Sequence, residues 1–158
     1  MSSPQAEAAF RNRAMELSTL ALHSAQLNDW ERSGAAVATL NDELGGEGIM
    51  FAIVAWCDTL IMRQQQVLGH KKGDLARPAW LNADTGDLAL NADDVPPPVR
   101  WAGRLVAARA AMDHDVWQAL VDSTPDTPGA TTEHVSVLLT SIATTLNALS
   151  RIERGGAA

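Results

Sequence analysis

The chain has 158 residues, 46% hydrophobic and 20% charged, which is enough apolar material for a packed core and argues against disorder. Nineteen acidic against twelve basic side chains leave a net charge of −7, which speaks against nucleic acid and anionic membrane surfaces as partners. The single cysteine, Cys57, excludes an internal disulfide and a cysteine-based metal cluster.

Apolar periodicity is helical almost throughout and predicts an all-α, six-helix bundle in a single domain. Two halves, about residues 4–69 and 95–154, each read as a helical hairpin plus a longer helix, with a connector over 70–94. Ser3 and Pro4 supply a cap and a first-turn proline for a first helix reaching about Leu27. Its apolar stripe is Phe10, Ala14, Leu17, Leu20, Ala21 and Leu27, and Glu7, Arg11, Arg13 and Glu16 break it too often for a secretory leader. The second helix, in "NDWERSGAAVATLNDELGG", starts at an Asn28 or Asp29 cap and stops at Gly45–Gly46. The third is "GIMFAIVAWCDTLIMRQQQ", Gly48 to Gln66, ending near Gly69. Its strongest apolar run, Ile49 to Cys57, falls short of the roughly 20 residues that span a bilayer, so a cytoplasmic location is expected.

The connector alone resists a helical reading. "AWLN" and "LALN" flank the turn signal "ADTGD" and predict a small β-hairpin or an ordered loop. "VPPP" then launches a fourth helix, Val99 to Met112, and "MDHDVWQALVDSTPDTPG" holds a short fifth. The sixth runs from Thr132 to about Arg154, before Gly155–Gly156. A shift of 86 residues lays Asp29 on Asp115, Ile49 on Val135, Ile53 on Leu139, Trp56 on Ile142 and Leu60 on Leu146. This weak repeat is equally compatible with duplication and with two amphipathic helices matching by chance.

Two charges sit where charges are costly. On a helical wheel the third helix has one apolar stripe of Ile49, Ile53, Trp56 and Leu60. Its back carries Phe51, Val54, Ile61 and Met62, with Asp58 among them. The sixth helix, by contrast, sets Val135, Leu138, Leu139, Ile142, Leu146 and Leu149 against a polar side of Ser136, Thr140, Thr144, Asn147 and Arg151. The third helix is therefore either central or a surface helix whose back binds something. Arg109 falls on the apolar stripe of the fourth helix, beside Ala102, Leu105 and Met112. An isolated buried charge costs several kcal/mol, so one expectation is an Asp58–Arg109 ion pair across the core. The other places Asp58 in an interface with Phe51, Val54, Ile61 and Met62, where one charge fixes register.

Motifs for chemistry are sparse. His23, His70, His114 and His134 form no metal-ligating helical pair, and Asp113 and Asp115 around His114 read as caps. No nucleophile elbow, phosphate loop or carboxylate-rich helix pair occurs, and "GGEG" lacks the lysine and the strand of a phosphate loop. "RQQQVLGH", Arg63 to His70, resembles the arginine-then-histidine motif of HEPN-type ribonucleases, which are small, helical and often dimeric. That resemblance implies an acid–base histidine and a phosphorane-stabilising arginine. The motif departs from the family's in carrying Gln64 and a helix-ending Gly69.

Arg63, Lys71, Lys72 and Arg77 form a local basic patch. Trp30, Trp56 and Trp117 read as packing anchors, leaving Trp80 or Trp101 for any base stacking. The expected function is a non-catalytic protein-interaction or self-assembling accessory protein, a homo-oligomer or a protein's partner, with no cofactor, metal, nucleic acid or membrane. The alternatives are the Arg63–His70 ribonuclease and a small-molecule binder with a pocket between the halves, using Asp58 or Arg109 as its polar group.

Overall fold

The computed structural model describes residues 3–69, 80–81, 88–89, 95–124 and 129–156. These form an all-α bundle of five helices: α1 (Pro4–Gln26), α2 (Trp30–Leu68), α3 (Pro97–Ala111), α4 (His114–Asp122) and α5 (Ala130–Gly156). The starts follow local chemistry. Ser3 Oγ accepts from the Ala6 N–H at 3.1 Å, Asp29 from the Arg32 N–H at 3.1 Å and Asp113 from the Val116 N–H at 3.1 Å. Each side chain thus satisfies a donor that its helix leaves open. Gly69 ends α2 at φ 69°, where a residue without Cβ is unstrained.

Five helices replace the expected six because the second and third fuse. Helix resumes directly after Gly45, so no loop separates them. Gly45 alone leaves helical dihedrals, at φ 64° and ψ −156°. That one residue turns the chain back on itself. From Ser33 to Glu43, the α1 partners retreat from Ala21 to Arg13. Past Gly45 the order reverses, and Trp56 bonds to Ser18, further along α1 than the Arg13 that pairs with Glu43. Residues 30–44 therefore run antiparallel to α1, and residues 46–68 run alongside it in the same direction. Gly48 makes the tight return possible, since a Cβ there would sit 2.5 Å from Leu44 Cβ.

The expected hairpin adds no layer to this fold. Trp80 stands opposite Ala89 and Leu81 opposite Leu88, and two residues a side do not make a sheet. The rest of the connector, with His70, Lys71, Lys72 and Arg77, lies outside the described residues.

The core lies where α1, both arms of α2, α3 and α5 meet. Leu17, Leu40, Ile53, Trp56, Leu60, Leu105, Leu138, Ile142 and Leu146 are buried in it. Small residues let the helices approach closely: Ala14, Ala21 and Ala25 on α1, Ala102 and Ala108 on α3. Polar ties cross between the helices. Trp56 Nε1 donates to the Ser18 carbonyl at 2.9 Å, Ser33 Oγ to the Ala21 carbonyl at 2.8 Å and Asn147 Nδ2 to the Gln26 carbonyl at 3.0 Å. Trp101 is buried, donates to the Leu120 carbonyl at 2.8 Å and packs edge-on to His134, so it is not a free stacking platform. Trp30 departs from its expected role as an anchor: it is 45% exposed.

Candidate functional site: an apolar groove between α1 and α2

The second arm of α2 buries Ile53, Trp56 and Leu60 and turns the opposite residues outward. Phe51, Val54 and Ile61 are half-buried, Asp58 is exposed and Met62 is 52% exposed. The arm is a surface helix with an apolar back. Because it runs beside α1, the two helices leave a valley of about 480 Å³ between them. Phe10 and Met15 line it from α1, and Glu47, Met50, Phe51, Val54, Ala55 and Asp58 from α2. Met62 continues the same face one turn beyond Asp58. Met15, 50% exposed, gives the valley a flexible thioether edge.

Asp58 and Arg109 meet at the rim of this face. Arg109 Nε donates to Asp58 Oδ1 at 2.8 Å and Nη2 to Oδ2 at 3.0 Å, the two-bond fork that a guanidinium offers a carboxylate. The pair is on the surface, not across the core: the side chains are 51% and 33% exposed. The hydrogen bond to Asp58 raises the guanidinium's affinity for its proton, against the opposing effect of partial burial. Arg109 also lies 6.0 Å from the Trp117 ring centre, so it ties α2 to α3 and α4. A pair this exposed contributes about 0.5–1 kcal/mol, whereas breaking a buried pair costs about 3–5 kcal/mol. Asp58→Ala is accordingly expected to lower the unfolding free energy by about 1 kcal/mol at most. Urea denaturation followed by circular dichroism reads the difference; a loss above about 3 kcal/mol would return the pair to the core.

Next to Asp58, Cys57 points the other way and is fully buried. Burial, with the neighbouring Asp58 charge adding to it, pushes its thiol up to about 12. The folded protein thus keeps Cys57 protonated through the pH range where free thiols ionise. Native protein at pH 8 is therefore expected to resist a thiol-specific disulfide reagent, and urea-unfolded protein to react fully. Rapid labelling of the folded chain would contradict the burial.

The remaining sequence candidates are not drawn to this site. Arg63 Nη1 donates to Glu153 Oε2 at 3.3 Å and to Gln66 Oε1 at 3.2 Å, while His70 lies outside the described residues. Asp113 is used as the cap of α4, and no cluster of three metal-ligating side chains occurs among the described residues. A second groove, about 640 Å³, does lie between the two halves, with a floor of Val37, Ile49, Val135 and Leu139. Neither Asp58 nor Arg109 lines it; its charged lining residue is Asp42. By length and composition alone, α2 and residues 131–155 each contain a stretch apolar enough to cross a bilayer.

Of the valley's lining, Phe51, Val54 and Asp58 stand out in the sequence, whereas Glu47, Met50 and Ala55 on α2 and Met15 on α1 do not. Phe10 was visible as part of a stripe, but nothing in the pattern pairs it with Phe51. Met15 and Glu47 carry no signal of their own, because their place depends on the direction in which the chain leaves Gly45. Compared with known protein families, curated proteins and solved structures, the chain matches none.

Proposed function

We propose that this is one all-helical domain that docks another protein through the valley face of α1 and α2, without chemistry of its own. The all-helical fold and the lack of a metal-ligating cluster among the described residues are consistent with a non-catalytic role. One observation carries the reading. An apolar face of Phe10, Met15, Met50, Phe51 and Val54, extended along α2 by Ile61 and Met62, is left partly uncovered in front of the buried core. Methionines suit such a face because their unbranched thioethers repack against different shapes. Three of the five methionines in the chain, Met15, Met50 and Met62, lie on it.

Methionine oxidation tests this reading whichever protein the partner is. Met15, Met62 and Met112 are 50%, 52% and 53% exposed, so the purified protein is expected to oxidise at all three with similar rates. In the cells that make it, Met15 and Met62 are expected to oxidise several-fold more slowly while Met112, which does not line the groove, is unchanged. Equal rates at all three positions in both settings would remove the support for a docked face.

A further inference from the structure

We infer that the occupant of the valley is an amphipathic helix carrying a basic side chain, rather than a second copy of this chain; the inference rests on the docking reading above. Among the described residues the lining is apolar apart from two carboxylates, Glu47 near one end and Asp58 at the other, and includes no basic side chain. They stand about 16 Å apart along α2, at about 1.5 Å per residue, or three helical turns. A valley between two helices running side by side, three turns long, has the shape that a third helix fills with residues at i, i+3, i+4 and i+7. Arg11 follows Phe10 on α1 but does not line the valley.

Charge decides between the possible occupants. Arg109 engages both oxygens of Asp58, so that end is already met from within the chain. Glu47 has no ion pair among the described residues and is exposed. Folding a second copy of this face onto the first would bring two Glu47 carboxylates to one apolar interface, with no basic lining residue among those described to receive them. The chain's net charge of −7 opposes that approach further. A helix with a lysine or arginine opposite Glu47 meets the free carboxylate and covers the methionines at once. The second groove repeats the pattern, since its charged lining residue is again acidic, Asp42.

Two designed peptides test the inference. Both are amphipathic helices of about 14 residues, or four turns, with Leu and Met on one stripe. One carries lysines beside the stripe and its twin carries glutamates at the same positions. Binding of fluorescent peptide to the full chain is read by anisotropy, and a sizing column with light scattering gives the protein's own mass. The lysine peptide is expected to bind at least about tenfold more tightly than its twin. Met15→Glu is expected to weaken that binding, and Glu47→Lys to reverse the preference between the twins.

Equal binding of the two peptides, or a preference that Glu47→Lys leaves unchanged, would overturn the inference. Where neither peptide binds and the wild type is a dimer that Met15→Glu dissociates, the helix partner is wrong and the docking face stands. Where neither binds, the protein is a monomer and its methionine oxidation in cells matches that of the purified chain, both readings fall.

Discussion

Truncating Trp56, the largest fully buried side chain among the described residues, to alanine is expected to lower the unfolding free energy by about 4 kcal/mol. The indole is 1% exposed, occupies the junction of α1 with the second arm of α2 and donates its N–H to the Ser18 carbonyl at 2.9 Å. Removing it leaves a cavity that helices already packed through alanines cannot easily close. A domain of ordinary stability, about 5–15 kcal/mol, loses a large share of its margin. Trp56→Phe keeps much of the ring volume and gives up the hydrogen bond, so it is expected to cost about 1–2 kcal/mol. Urea denaturation of the two variants separates the contributions. A loss below about 1 kcal/mol for Trp56→Ala would mean that the second arm does not lie on α1 as described.

The second large effect is expected at the turn itself. Gly45 stands at φ 64° and ψ −156°, a backbone region open essentially to glycine alone. Gly45→Val is expected to cost about 2–3 kcal/mol through backbone strain. The space around Gly45 is empty, so crowding adds nothing. Its neighbour provides the contrast. Gly46 carries no positive φ and also has nothing within 4 Å of an added Cβ, so Gly46→Ala is expected to be neutral or to stabilise by up to about 1 kcal/mol. Adjacent glycines with opposite responses in thermal or urea unfolding would show that one residue makes the reversal. Similar losses at both positions would contradict a turn confined to Gly45.

The starts of α1, α2 and α4 were legible because each is written twice, once in its apolar period and once in its cap. Ser3, Asp29 and Asp113 begin helices with side-chain caps. Gly45–Gly46 marked the right place, but a pair of glycines does not say whether the chain will loop, kink or double back. The direction of that reversal is a tertiary property, set by which face of residues 46–68 finds α1. The same gap hid half of the site: Phe51 and Asp58 could be suspected from one helix, whereas Phe10, Met15 and Glu47 joined them only when two helices were laid side by side.

Asp58 shows where a correct pattern can suggest the wrong environment. Its place among apolar residues on the wheel implied burial, as did the place of Arg109 on the α3 stripe. Both side chains instead reach the edge of a face that the fold leaves open, and they bond there with solvent beside them. A wheel reports which residues share a side; it does not report whether that side is covered. The carboxylate in the middle of the apolar helix is therefore an edge group of an open apolar face.

Site-specific photo-cross-linking tests the central claim, that this face is a docking surface, most directly. A photoreactive residue placed at Met62, on the face, is compared with one at Arg104, an exposed position on α3, in the cells that make the protein. An adduct of one discrete mass is expected from position 62, lost when Met15→Glu is added, and none from position 104. Adducts from both positions alike, or from neither, would contradict it.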